Sequence, residues 1–198
     1  MNAARSISFR TLLAAGLAAG LAAPAGAQAP ATPVTYTATA VNVDPAVNLT
    51  ATTVYITVDR WSTDGQRDAL LTKAGAGGQD ALLKSLQDQP KAGTIRTPDS
   101  LTYDVRYARH VPSENGGSQI VLITDRNISF FEAANAARTV DYPFMVIELR
   151  LNPNGEGEGK ITVATKITAN PANNHIMLEN YGSQPVQLTR VRQVEQDK

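Results

Sequence analysis

The sequence predicts an α+β chain that is mainly β: an antiparallel meander of about eight or nine strands, curled or barrel/sandwich-like, with a short two-helix insert. Three observations carry this. Segments that alternate apolar and polar residues with period two recur along most of the chain. Turn sequences rich in Asn and Gly separate them, at 115–117 and 154–155 above all. Between residues 63 and 88 the period changes to that of a helix.

The elements follow in order. Residues 35–43 alternate weakly, with Tyr36, Ala38 and Ala40 on one side. Residues 53–60 alternate clearly: Val54, Ile56 and Val58 face one way and Tyr55, Thr57 and Asp59 the other. Such β-branched alternation makes a half-buried strand. Thr63 and Gln66 then have capping-box spacing, and Asp64 and Asp68 sit where a helix dipole favours carboxylates. Leu70 and Leu71 give this helix its apolar side, and Gly75-Ala76-Gly77-Gly78 stops it. A second helix over 79–87 would bury Leu82, Leu83 and Leu86. Both are too short to stand alone, so they must pack on the sheet as a hairpin.

Beyond Gly93 the pattern is strand and turn. Residues 101–111 place Tyr103, Val105 and Tyr107 on one face and Asp104, Arg106 and His110 on the other. They turn at Asn115-Gly116-Gly117 into 119–124, which is apolar on both faces. Residues 142–151 pair through Asn154-Gly155 with 160–167, and a third hairpin is expected to join 175–181 to 184–191 across Gly182-Ser183. Residues 129–137 fit either a capped helix or, as preferred here, a short strand over 127–131 followed by irregular chain. No repeat and no second domain boundary is visible, so residues 36–198 are expected to form one domain, with 28–35 as a disordered lead-in.

The N-terminus points to export. Arg5 and Arg10 precede an Ala/Leu/Gly run over 11–23, and Ala25-Gly26-Ala27 supplies the small residues of a signal-peptidase site. The run would reach only about 20 Å as a helix, short of the ~30 Å bilayer core. Cleavage after Ala27 is expected, giving a soluble periplasmic or secreted protein beginning at Gln28. The chain has no cysteine, which removes disulfides, thiolate metal sites and thiol nucleophiles. Without the two leader arginines, the 18 basic residues become 16 against 18 acidic ones, with no clustered positive field. Nucleic acid is therefore not an expected partner.

Chemical signatures are sparse. His110 and His175 lie 65 positions apart with no ligand-type spacing around either, so neither metal nor cofactor is expected. The 152–159 stretch is oxygen-rich, but its twelfth position is Val163 rather than the glutamate of a calcium loop, and a solvated hairpin tip explains it. No G-x-S-x-G elbow, phosphate loop or dinucleotide fingerprint occurs. Asp104 and His110 share a strand face but stand about 20 Å apart along it, too far for a catalytic pair. The candidate binding residues are Asp59, Arg60 and Trp61 at the strand-to-helix junction, with Tyr103, Arg106 and Tyr107 on the 101–111 strand. The simpler reading makes Trp61 an anchor joining the helical hairpin to the sheet and puts the tyrosines in the core.

Residues 54–71 (Val-Tyr-Ile-Thr-Val-Asp-Arg-Trp-Ser-Thr-Asp-Gly-Gln-Arg-Asp-Ala-Leu-Leu), with Asp141-Tyr142-Pro143-Phe144, resemble uncharacterised exported bacterial proteins. The resemblance implies a bacterial, exported chain and carries no activity or functional residue with it. The expectation is thus a non-enzymatic exported protein binding a small molecule or an envelope partner through its sheet. A periplasmic hydrolase with an unrecognised site and a structural or assembly protein of the envelope are the alternatives.

Overall fold

The computed structural model describes residues 28–41, 51–76, 78–98, 101–125, 143–170, 175–180 and 185–194. The expected signal peptide, the ambiguous 129–137 stretch and the Gly182-Ser183 turn lie outside them. Among the described residues there are nine strands: β1 (Val34–Val41), β2 (Ala51–Val58), β3 (Gly93–Arg96), β4 (Tyr103–Pro112), β5 (Ser118–Thr124), β6 (Phe144–Leu151), β7 (Glu156–Asn170), β8 (His175–Asn180) and β9 (Val186–Val194). Helices α1 (Asp64–Ala76) and α2 (Gly78–Gln87) lie between β2 and β3.

All pairings are antiparallel. The order β6-β5-β4-β3-β2-β1-β9-β7 closes on itself through β6–β7, so eight strands form a barrel and β8 extends it. The fold class is thus a mainly β chain whose antiparallel sheet closes. β1 begins at Val34, paired with Val58, so the ladder takes in two residues that composition assigns to a disordered lead-in.

The interior is a column of apolar side chains from all eight ring strands. Tyr36, Ala38 and Ala40 face Val54 and Ile56, then Ile95, Val105, Ile120, Leu122, Ile147, Leu149, Ile161, Leu188 and Val191 around the circuit. Away from the helices the outward positions named here are polar: Thr35, Thr37 and Thr39 on β1, Lys160 and Glu148 as an ion pair at 3.3 Å, and exposed Arg150 and Arg192. Threonine keeps the β-branched shape a strand favours while presenting a hydroxyl to water. This inside-out distribution is the reverse of a barrel that spans a membrane, and among the described residues no helix is long and apolar enough to cross one.

Bulges set which side chains point inward. On β4 the register with β5 shifts between Val105 and Tyr107, which makes Arg106 the extra residue. Ala108 therefore returns to the barrel core, whereas Tyr107 points outward. This corrects the strict alternation expected of 101–111: Tyr103 and Tyr107 lie on opposite faces, and His110 leaves the side of Asp104 and joins the interior side of Ala108. β9 carries a second bulge at Arg190, whose φ is 53°, in register shifts shared with β1 and β7. It brings Val191 inward after Leu188.

The third hairpin is also corrected. β8 pairs with the far half of β7 and β9 with its near half, along the same edge. Asn180 sits opposite Thr165 and Val186 opposite Ile161. β8 and β9 thus run in line instead of folding back on each other, and the turn that reverses the chain falls between β7 and β8. Long-range pairing along the 15-residue β7 takes up both strands.

The helices cover the outer wall. Leu70, Ala74, Leu82 and Leu86 pack on Tyr107, Ile123, Phe144, Val146 and Ile167. The capping box forms as expected, Thr63 N donating to Gln66 Oε1 at 2.9 Å and Gln66 N to Thr63 Oγ1 at 3.2 Å. β7 runs past the start of β6, leaving main-chain groups on its edge near Ile167. Gln79 meets them: its Nε2 donates to Ile167 O at 2.8 Å and its Oε1 accepts from Ile167 N at 2.9 Å. A side-chain amide takes the place of a neighbouring strand, which is how an exposed edge is blunted.

The β6–β7 turn yields a stability prediction. Gly155 has φ 76°, and a Cβ there would stand 3.3 Å from Gln193 Cβ. Gly155→Val should destabilise the protein by roughly 1–3 kcal/mol, whereas Glu156→Gln and Glu158→Gln should leave the urea midpoint unchanged. Large losses at the glutamates would mean that their charge holds the turn.

Candidate functional site

In a meander, alternate turns fall at the same end of the barrel. The β4–β5 turn (113–117), the β6–β7 turn (152–155), the close of β9 and the start of β1 therefore meet. Inside this end the apolar column, which closes on β1 with Val34, gives way to polar and aromatic side chains: Tyr36 on β1, His110 on β4, Ser118 on β5 and Gln193 on β9. Pairings of Tyr36 with Gln193, of His110 with Ile120 and of Pro112 with Ser118 place them on one rim. Asn152 and Asn154 of the turn and Gln28 complete a recess of about 330 Å³. That volume is at the small end of the range for ligand pockets.

Its turn wall is rigid for local reasons. Asn152 Oδ1 accepts from Asn154 N at 2.9 Å and from Glu156 N at 3.1 Å, and Gln193 N donates to Gly155 O at 3.0 Å. A Cβ on Gly117 would lie 2.2 Å from Leu151 O, so only glycine lets the other turn close against β6. At the floor, Tyr36 is fully buried, and its hydroxyl has no hydrogen-bond partner among the described residues. Burial pushes its ionisation far above the usual tyrosine range. His110 meets Trp61 edge to face, ring centroids 5.7 Å apart, and burial lowers its pKa below the ordinary imidazole value.

Trp61 is a packing residue, but not where the sequence expects it. Its indole packs against the barrel core rather than the helical leucines, and Nε1 donates to Pro30 O at 2.8 Å. It holds the incoming chain over the barrel end, which brings Gln28 and Pro30 to the recess. Its neighbour Ser62 locks the junction to β4, with Ser62 N donating to Ala108 O at 2.7 Å and Ala108 N to Ser62 Oγ at 3.1 Å.

The six candidate residues do not converge. Asp59 is exposed. Arg60 is a clamp, its Nε donating to Lys91 O at 3.0 Å, one Nη to Gln66 Oε1 at 3.2 Å and the other to Pro90 O. Tyr103 is a core side chain. Arg106 lies 3.2 Å from Asp125 and 3.6 Å from Asp104 on the outer surface. Tyr107 is buried beneath the helices beside Arg109, which bridges to Asp64 at 2.8 Å. The hydrogen bond and charge of Arg109 hold the Asp64 carboxyl below its usual range. These contacts fasten α1 to β4. The residues that do converge, Tyr36, His110, Ser118, Asn154 and Gln193, are not among the binding candidates read from the sequence, where His110 is weighed only as a metal ligand or catalytic partner. Turn parity in a meander could have found them, since it brings the 115–118 and 152–155 turns together.

Among the described residues no group of three or more His, Cys, Asp or Glu side chains could hold a metal. Ser118 and His110 share the rim, but the lining contains no carboxylate to orient the imidazole. An apolar hollow of about 20 Å³ beneath the helices has room for little more than one water. The chain matches no family model, no curated protein and no solved structure.

His110 gives a pH prediction. Because burial lowers its pKa, the neutral imidazole favours the folded state. That contribution is complete above about pH 6.5, the ordinary histidine value, and is lost as pH falls through the lowered folded value. Asp64 acts separately, its contribution falling away only below about pH 4. Denaturation midpoints at pH 7.5 and pH 5 should differ in the parent and differ less in His110→Gln. Equal shifts in both proteins would show that His110 is not the group responsible.

Proposed function

We propose that the chain is an exported bacterial binding protein without catalytic activity, which takes a small molecule in the recess at the turn end of its barrel. The carrying observation is the Tyr36 hydroxyl, buried at the recess floor with no partner among the described residues. Desolvating a hydroxyl without a replacement hydrogen bond costs about 1–3 kcal/mol. A ligand group that displaces the side chains sealing it and bonds to it recovers that cost. Export is supported by the basic, apolar and small-residue succession of residues 5–27. A binding role is preferred to hydrolysis because the rim offers a hydroxyl and an imidazole without a carboxylate behind them.

The test uses protein recovered from the periplasm of a Gram-negative host, its intact mass reporting cleavage after Ala27. Tyr36→Phe should melt at the same temperature as the parent or higher, because it removes an unsatisfied group. In a thermal-shift screen of small polar molecules, the compound that stabilises the parent most should bind Tyr36→Phe about tenfold more weakly, a loss of about 1.4 kcal/mol. A marked drop in melting temperature without ligand, or stabilisation indifferent to Tyr36, would contradict the proposal.

A further inference from the structure

We propose that residue 28 is a modification site: once the leader is removed after Ala27, Gln28 closes into pyroglutamate, and this lactam ring lines the recess. The inference rests on the proposed cleavage and adds what becomes of the new terminus. Ala25 and Ala27 are the small residues of a signal-peptidase site, and the cut they direct leaves glutamine first. A terminal glutamine carries a nucleophile and an electrophile within reach of each other. Its α-amino group titrates at about pH 7.7–8.0, so a fraction with a free lone pair is present at neutral pH. That nitrogen attacks the side-chain Cδ, and the new N–Cδ bond closes a five-membered ring. The Cδ–Nε2 bond breaks, one amine proton passes to the departing nitrogen, and ammonia leaves. The step needs no oxidant, reductant or second reactant.

The structure gives this terminus the freedom that ring closure requires. Gln28 and Ala29 are both exposed. Among the described residues the lead-in is first fastened at Pro30, whose carbonyl oxygen accepts from Trp61 Nε1 at 2.8 Å. The β1–β2 ladder begins only at Val34. Two residues ahead of the Pro30 anchor, the Gln28 side chain can fold back on its own nitrogen without disturbing the barrel. The same anchor keeps the product close. Gln28 lines the recess together with His110, Ser118 and Gln193, so the group standing at the terminus becomes part of the wall. Left open, that group is an ammonium at neutral pH. Closed, it is an uncharged ring with one N–H donor and one C=O acceptor side by side. Ring closure therefore decides the charge that residue 28 brings to the site.

The experiment uses protein recovered from the periplasm of a Gram-negative host and held at neutral pH until its intact mass is constant. The N-terminal peptide should begin at residue 28, weigh one ammonia less than its sequence requires, and resist stepwise sequencing from its amino end. Fragmenting that peptide separates this loss from ammonia lost at Asn115-Gly116 or Asn154-Gly155. In Gln28→Asn the same attack would need a strained four-membered ring, so this variant should keep its ammonia and its free amine. Compared by NMR, parent and Gln28→Asn should differ at the His110 ring. A peptide that begins at residue 28 with full mass and a free amine overturns the modification and leaves the cleavage standing. One that begins elsewhere overturns both. Loss of ammonia at residue 28 with identical His110 resonances in the two proteins overturns the place of the ring in the recess.

Discussion

The structure depends on β9 being shared. It pairs with β1 along one edge and with β7 along the other, and this turns a meander into a ring. Without it β1 and the near half of β7 would each present a row of unpaired main-chain groups, and the apolar column would open on one side. The strand that makes the closure is also the most distorted. Arg190 adopts a left-handed conformation that costs a residue with a Cβ about 1 kcal/mol or more, and the bulge it forms keeps both Leu188 and Val191 inward. The ring tolerates this strain because closure over-determines the position of Arg190.

Closure decides where function can reside. An eight-stranded barrel has just enough interior for its own side chains, and here alanines on β1 and β4 face the larger isoleucines and leucines so that the column fills. A ligand inside the sheet is excluded by packing rather than by chemistry. The outer wall on one side is taken by the helical hairpin, whose leucines and Gln79 cover the sheet and the overhanging edge of β7. Among the described residues, the end where the column meets the β4–β5 and β6–β7 turns opens into a recess. There Val34 and Leu151 end the apolar column, and His110, Ser118 and Gln193 on neighbouring strands are polar. Trp61 and the chain it holds at Pro30 form one side of that opening.

Local features were legible in the sequence because they depend on neighbours in the chain. The inward face of β2, the capping box of Thr63 and Gln66, the two helices and the two Asn-Gly hairpins all follow from period and turn chemistry within a few residues. The barrel-like sheet followed from their succession. What period could not supply was phase across a bulge. One extra residue at Arg106 exchanges the faces of everything after it, so Tyr107 was expected beside Tyr103 and His110 beside Asp104. Nor could local pattern reveal that β1 meets β9, whose Thr189 bonds to Thr39 from 150 residues away. The binding candidates chosen from charge and aromaticity, Arg60 and Arg106 in particular, proved to be tied to main-chain carbonyls and carboxylates. The recess residues were inconspicuous because asparagine, serine and glutamine near turns are ordinary, and only closure brings them together.

Amide hydrogen exchange on β9 tests the closed ring most directly. If β9 is held on both edges, amides within Val186–Val191 that are bonded to β1 and to β7 should exchange as slowly as those of Ile120 and Leu122 in β5, through opening of the whole barrel. Exchange on β9 that is orders of magnitude faster than on β5, with β1 fast as well, would mean that the sheet is open at this seam. The packed interior and the recess built on it would then both be lost.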